Sequence, residues 1–214
     1  MALPRERTST HTPRWLAPPD LQLLWGGAAL SVALWAGLRA YREENWAAAA
    51  GAVLAAVVGR LFLRRGPARS ASPRDSLAAL PAVLAPPMVA AGGSIGPVLF
   101  REPVLAAALC VAGCLFAAWA LTVLGRSFAV LPVKRPLVTA GPYRWVRHPA
   151  YLGELVAVLG LCLQSVTLAA LLLTAGAAAA VAARIRIEER LLAADPAHEA
   201  YRTAVRWRLI PGLW

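Results

Sequence analysis

Long apolar runs, separated by short arginine-rich segments, constrain the fold of this chain more than any other feature. A transmembrane helix needs about 20 consecutive apolar residues. Only 15% of the residues are charged, against about 25% in a soluble domain. The sequence therefore predicts an all-α, polytopic membrane helix bundle of about six transmembrane helices. The apolar runs cover residues 21–40, 46–63, 77–100, 103–124, 151–163 and 167–187.

Two of the six runs are irregular. The third, residues 77–100, contains Pro81, Pro86 and Pro87, and proline lacks the N–H that a helix interior requires. We therefore expect this run to be kinked or broken. The fifth run, residues 151–163, is shorter than the roughly 30 Å hydrocarbon core at 1.5 Å per residue. We expect it to pack as a hairpin with the longer sixth helix.

The distribution of basic residues predicts the topology. If six helices cross the membrane and the N-terminus is cytosolic, 19 of the 22 basic residues fall on the cytosolic side. Only Arg39, Arg42 and Arg101 fall outside, as the positive-inside rule requires. Both termini are therefore predicted to be cytosolic. Because the basic residues flank apolar runs and form no separate basic domain, we expect no nucleic-acid partner despite the net charge of +11.

The source and compartment follow from composition. Lys134 is the only lysine among the basic residues, and alanine, glycine and proline are abundant. This bias is typical of a GC-rich, bacterial genome. The chain is therefore predicted to be an integral protein of the bacterial inner membrane, with its polar residues facing the cytosol.

Most of the polar chemistry lies in one stretch, "GPYRWVRHPAYLGE", between the fourth and fifth runs. Pro149 suits the first turn of a helix, where free N–H groups and the helix dipole favour an anion. His148 either binds a carboxylate beside that helix start or caps the helix, and Tyr151 lies close to the same face. Arg144 and Arg147 are interpreted as charges that set the topology.

The end of the sixth run supplies the opposite charge. Arg184 and Glu188 are four residues apart and share a helix face, while Glu189 and Arg190 point elsewhere. A carboxylate near the membrane is costly without a partner. Glu188 is therefore either a ligand for a cation or half of an ordinary ion pair at a solvated helix end. Anion-binding groups near His148 with a carboxylate at Glu188 would suit an amino acid or a cofactor that carries one, and we expect no metal.

Three segments in order carry a family resemblance. "LVTAGPYRWVRHPAYLGE", then "RIRIEERLL", then "AYRTAVRWRLIPG" resemble the isoprenylcysteine carboxyl methyltransferase family, within a wider group of membrane methyltransferases that includes phospholipid N-methyltransferases. The resemblance covers roughly residues 120–214. It implies a membrane methyltransferase that takes S-adenosylmethionine from the cytosol and a lipid-like or small apolar acceptor from the membrane.

The resemblance also implies domains and residue roles. Residues 1–124 would form N-terminal transmembrane helices, and residues 125–214 a methyltransferase core of cofactor-binding loop, helical hairpin and cytosolic tail. Arg184 would be catalytic and would hold the acceptor, in this family through a carboxylate, with Tyr201 also binding the acceptor. The cofactor-binding residues would be Leu137, Val138, Tyr143, His148, Pro149, Tyr151, Glu188 and Glu189.

Three alternatives stay open. The same fold could methylate a phospholipid amine or a thiol, which requires a base, for which Glu188 or Glu189 are the candidates. A related NADPH-dependent membrane reductase shares a similar C-terminal architecture but leaves the paired glutamates unexplained. In a non-enzymatic membrane protein, the motifs would serve only as topology charges and helix caps.

Overall fold

The computed structural model is mainly helical in the part of the chain that it describes. Within that part we find five α-helices, no β-strand, and one isolated antiparallel bridge, so the all-α prediction is confirmed. The described residues are 46–63, 88–89, 92–125, 137–193 and 195–214, with single helical positions at 31, 34, 38 and 42. The helices are α1 (Trp46–Leu63), α2 (Pro103–Leu124), α3 (Pro149–Gln164), α4 (Leu168–Leu192) and α5 (Pro196–Ala204).

Two of these helices have the length and composition of membrane spans, Pro103–Leu124 and Leu168–Arg190. Helix α3 is apolar but has only 16 residues, or roughly 24 Å of helix, as its short run predicted. The structure therefore agrees with a membrane helix bundle. The six-span topology with cytosolic termini stays a prediction, because most of the first run and most of the third lie outside the described residues.

The third apolar run ends without a helix. Its last helical residue is Gly92, followed by a turn and an extended segment up to Phe100. Phe100 pairs with Val166, just before α4, and the Thr167 hydroxyl donates a 2.8 Å hydrogen bond to the Gly92 carbonyl. The helical part of this run therefore ends at Gly92, eight residues before the run does. The kink or break predicted from Pro81, Pro86 and Pro87 stays a prediction, because these three prolines lie outside the described residues.

Helix α3 packs most closely against α2. Gly113 of α2 and Gly153 of α3 are apposed so tightly that a Cβ on Gly113 would lie 2.4 Å from the backbone nitrogen of Ala157. A Cβ on Gly153 would lie 2.6 Å from the backbone nitrogen of Ala117. Small residues allow helix backbones to approach in a membrane. Helix α3 also contacts α4, as the predicted hairpin requires, but its closest partner is α2, because the small residues that permit close contact face α2.

The C-terminal segment returns to the start of α3. Asp195 caps α5, and its side chain accepts a hydrogen bond from the first turn. Beyond α5 the chain runs beside the loop that precedes α3. The backbone N–H of Arg147 donates to the Trp207 carbonyl and that of His148 to the Arg208 carbonyl, each at 2.9 Å. The loop before α3 and the C-terminal tail therefore meet through their backbones.

Candidate active site

Three side chains converge on the carboxylate of Glu188. The Tyr151 hydroxyl donates to Oε1 at 2.5 Å, and Nε of Arg184 donates to the same oxygen at 3.1 Å. The Nδ1 atom of His148 lies 3.9 Å from Oε2. The shared face of Arg184 and Glu188, predicted from their spacing, is confirmed. Because the partners come from both α3 and α4, the position of this carboxylate depends on how the two helices meet.

Tyr151 occupies the centre of this group. The His148 ring stacks on it with centroids 5.8 Å apart and planes 21° apart. The Arg184 guanidinium lies 5.2 Å from the centre of the same tyrosine ring, within cation–π range. Arg184 is only 5% exposed. An arginine held by a ring and a carboxylate at once is already oriented, so it loses little freedom when a ligand binds.

Glu189 ties together the loop, α4 and the tail. Nε of Arg208 donates to its Oε2 at 2.8 Å, and Nε2 of His148 lies 3.4 Å from its Oε1. Nε of Arg147 lies 3.1 Å from Oε1 but without hydrogen-bond geometry. Glu189 lies on the helix face beside Glu188 and is buried. Its partners indicate a structural role, and its contact with a cofactor stays a prediction.

Arg147 and His148 differ from their simplest interpretations. Arg147 is buried, and burial lowers its pKa while Glu189 partly restores it. Arg147 thus has a structural contact that the sequence did not predict, while the topology-setting role predicted for Arg147 and for the exposed Arg144 stays a prediction. His148 is the N-cap residue of α3, but its side chain makes no capping hydrogen bond within the described part. Its ring faces the two glutamates, and Pro149 behind it is buried.

The remaining predicted site residues form an apolar support. Tyr143 and Tyr201 pack in one buried cluster, with Val138 against it, and the Tyr201 hydroxyl donates to the Tyr143 carbonyl at 2.7 Å. Burial raises the pKa of Tyr201 to about 12 and that of Tyr143 as well, so both stay neutral. Leu137 is 36% exposed at the edge. The structure gives Tyr201 a packing role, and its contact with an acceptor stays a prediction.

Replacement of Tyr201 by phenylalanine should cost about 1–3 kcal/mol of stability, because the buried Tyr143 carbonyl loses its donor. Thermal unfolding of the detergent-purified protein measures this loss. Thr203→Val is the matched control, since the Thr203 hydroxyl bonds a carbonyl at an exposed position and should change stability by less than about 0.5 kcal/mol. Equal effects of the two variants would contradict the support role.

His198 is a buried imidazole on α5. It is 4% exposed, and neither ring nitrogen has a hydrogen-bond partner among the described residues. Burial lowers its pKa, opposed by the charge of Glu189 and reinforced by Arg202, Arg147 and His148. The folded protein therefore holds His198 neutral.

The stability that depends on neutral His198 should be present above about pH 6.5, the pKa of an unfolded histidine. It should be lost as the pH falls through the lower pKa of the folded state, because the unfolded chain then binds the proton more readily. His198→Phe keeps an aromatic ring that cannot be protonated. Lowering the pH from 7 to 5 should therefore decrease the stability of the wild type more than that of this variant, as measured by thermal unfolding at each pH. An equal loss of stability in both proteins would contradict the assignment of a neutral His198.

Three residues of this region had no role assigned from the sequence. Arg208 holds Glu189, and Trp214 packs against Arg208 and Arg186 with guanidinium-to-ring distances of 5.3 Å and 5.5 Å. Glu154, the last residue of the motif that begins at Gly141, interacts electrostatically with Arg184. The position of Glu154 inside an apolar run could have marked it as a candidate functional residue. The partners of Arg208 could not be predicted from sequence spacing, because they depend on the pairing of the tail with the loop before α3.

Comparison with known families adds an independent finding. Residues 102–195 match the model of the phospholipid methyltransferase family. This range contains α2, α3 and α4, and it crosses the domain boundary predicted at residue 124. No curated protein matches the chain. The match indicates a membrane methyltransferase domain, so the resemblance drawn from the motifs is confirmed at that level.

Proposed function

We propose that this chain is an S-adenosylmethionine-dependent methyltransferase that resides in a membrane and methylates a lipid-like or small apolar acceptor. One observation carries the proposal: Tyr151, His148 and Arg184 converge on the carboxylate of Glu188. These side chains lie where α3 begins and where a candidate membrane span ends. The family match over the same helices supports methyl transfer as the reaction.

The residues present fit the amino-acid part of this cofactor. Its ammonium group requires a carboxylate, which Glu188 supplies. Its carboxylate requires donors, and the start of α3 offers a positive dipole end where no side chain of the described part forms a cap. His148 and Tyr151 flank both positions. When bound, the cofactor supplies an electrophilic methyl group.

The protein contributes mainly positioning and exclusion of water. Arg184 precedes Glu188 by one helical turn, so it lies roughly 6 Å farther along α4 from the end that carries Glu188. Its guanidinium would then lie between the proposed cofactor position and the apolar part of the helix. An acceptor entering from the membrane would meet Arg184 first. Holding the reacting groups in line in a pocket without water supplies most of the acceleration that methyl transfer needs.

The location of the protein follows from the same picture. We propose that the site faces the cytosol, because 19 of the 22 basic residues lie on one side in the six-span topology. S-adenosylmethionine is then taken from that side, and the acceptor comes through the membrane. The bacterial inner membrane is the proposed compartment.

Isothermal titration of the detergent-purified protein with S-adenosylhomocysteine tests the proposal. We expect saturable binding, with no binding of NADPH. Binding of NADPH instead would replace the methyltransferase with the reductase alternative. Binding of neither would favour a non-enzymatic membrane protein, in which the polar cluster only stabilises the fold.

A further inference from the structure

A polar cavity lies at the opposite end of α3 from the candidate active site. Its volume is about 480 Å³, within the range of about 300–1,000 Å³ that is typical of small-molecule sites. Because α3 has 16 residues, its last residue, Gln164, lies roughly 24 Å along the helix axis from His148. The cavity is therefore separate from the site around Glu188. The residues that line it include Gly93, Ser94, Gly96, Arg101, Gln164 and Ser165.

Backbone hydrogen bonds fix the shape of this cavity. It lies where α3 ends and where α2 and α4 begin. The N–H of Leu99 donates to the Val166 carbonyl at 2.7 Å, and the N–H of Val166 donates to the Phe100 carbonyl at 3.1 Å. The N–H of Glu102 donates to the Leu163 carbonyl at 3.0 Å. The extended segment before α2 is thus tied to the ends of the two neighbouring helices, and the cavity between them is a built feature of the fold.

The side chains that line the cavity favour an anion. Arg101 supplies a positive charge, and Ser94 and Ser165 supply hydroxyl donors. The amide nitrogen of Gln164 lies 4.0 Å from the Sγ atom of Cys110, a contact that engages only one of its two N–H groups. Among the lining residues of the described part of the chain there is no aspartate or glutamate. A cation would therefore find no charged partner in this cavity.

The charge of Arg101 has no other explanation in the described part of the chain. Arg101 is exposed, and the ion pairs among the described residues do not include it. In the six-span topology it is one of only three basic residues on the outer side, where the positive-inside rule does not favour arginine. The planar guanidinium suits a phosphate because it can donate two parallel hydrogen bonds.

Exposed apolar side chains beside the cavity indicate that the anion is part of a lipid. Val98 lines the cavity and is exposed. Leu99 and Phe100 are exposed next to it, and Val104, in the first turn of the candidate span α2, is 83% exposed. A soluble anion would contact none of this apolar surface. Acyl chains attached to a headgroup in the cavity would cover it, with a gain of about 25 cal/mol per Å².

We propose that this cavity binds the headgroup of an anionic phospholipid, with the phosphate at Arg101 and the rest of the headgroup at Gln164 and the two serines. The lipid belongs to the leaflet on the opposite side of the membrane from the candidate active site. It is a bound lipid that joins the ends of α2, α3 and α4, and it is not a methyl acceptor. The inference is therefore independent of the proposed function.

Thermal unfolding of the full chain in a nonionic detergent tests the proposal. A ligand that binds only the folded protein raises its stability as the site fills. Short-chain phosphatidylglycerol should therefore raise the unfolding temperature in a saturable manner. Arg101→Gln should raise the half-saturating concentration at least about tenfold, because a charge-assisted contact to the phosphate is lost. Short-chain phosphatidylcholine, whose headgroup also carries a cation, should require a higher concentration than phosphatidylglycerol.

Two further variants and one soluble compound serve as controls. Arg42→Gln removes an exposed arginine on the same predicted side of the membrane but outside the cavity lining, and it should leave the half-saturating concentration unchanged. Arg101→Lys keeps the charge without the planar fork, so it should recover part of the affinity and provides a second variant if Arg101→Gln folds poorly. Glycerol 3-phosphate, which has no acyl chains, should require at least about a tenfold higher concentration than the lipid.

Four outcomes would overturn the inference. The first is equal phosphatidylglycerol affinity in the wild type and in Arg101→Gln. The second is equal weakening in Arg101→Gln and Arg42→Gln, which would indicate a diffuse charge effect. The third is equal affinity for phosphatidylcholine and phosphatidylglycerol, which would indicate a lipid surface without a headgroup site. The fourth is equal affinity for glycerol 3-phosphate and the lipid, which would indicate a site for a soluble anion.

Discussion

Glu188→Ala should weaken the binding of S-adenosylhomocysteine strongly. The substitution removes the carboxylate that faces the cofactor's ammonium group and leaves Tyr151 and Arg184 without the oxygen to which both now donate. Glu188 is partly buried, with its side chain 21% exposed, and loss of one partner from a hydrogen-bonded charge pair costs about 2–5 kcal/mol when the pair is fully desolvated by the bound ligand. This corresponds to roughly 30- to 5,000-fold weaker binding. Isothermal titration of wild type and variant at one pH measures the ratio.

Glu199→Ala is the matched control for this prediction. Glu199 is also an acidic residue paired with an arginine, Arg202, at 3.1 Å, but it is exposed on α5. Exposed pairs contribute about 0–1 kcal/mol, so cofactor affinity should not change. Wild-type affinity in Glu188→Ala would refute the assignment of the ammonium site. Equal weakening in both variants would indicate a nonspecific charge effect.

Gly113→Ala should destabilise the protein even though alanine is the better helix former. The new Cβ would lie 2.4 Å from the backbone nitrogen of Ala157 and 2.6 Å from the carbonyl oxygen of Gly153. Backbone atoms cannot rotate away as a side chain can, so α2 and α3 must separate. Such overpacking costs about 1–3 kcal/mol. Because α3 carries Tyr151, the separation should also weaken S-adenosylhomocysteine binding.

Gly176→Ala supplies the opposite expectation. Gly176 is also an intramembrane helical glycine, on α4, and a Cβ there would meet nothing within 4 Å among the described residues. Alanine is favoured over glycine in a helix by about 1 kcal/mol, so this variant should be as stable as wild type or more stable. Thermal unfolding of both variants in detergent compares them directly. Destabilisation of similar size in both would contradict the tight crossing of α2 and α3.

Local patterns predicted the helices well. The runs at 46–63 and 103–124 match α1 and α2 residue for residue. Helix α3 begins and ends within two residues of its run, and α4 continues past the end of its run to Leu192. The length of an apolar run alone indicates which residues can lie in a bilayer. The bounds of these helices can therefore be predicted without knowing which helices pack against them. The pairing of Arg184 with Glu188 follows in the same way, because helix geometry alone puts the two residues on one face.

Contacts between distant segments could not be predicted so well. Arg147 looked like a topology charge, yet it is buried beside Glu189, because the tail pairs with the loop before α3 and closes over it. Arg208 and Glu189 are 19 residues apart, and only this closure brings them within 2.8 Å. The preference of α3 for α2 likewise depends on which glycines face each other.

The sequence by itself determined the helical class, the run lengths and the residue types gathered near His148 and Glu188, because hydrophobic length and helix periodicity are local properties. Only the tertiary structure decided which residues of other segments each glutamate meets. Glu188 meets Tyr151 and Arg184, whereas Glu189 meets Arg208 and Arg147. Adjacent residues on a helix point about 100° apart, so the packing of α3 and of the tail around α4 fixes the partners of each.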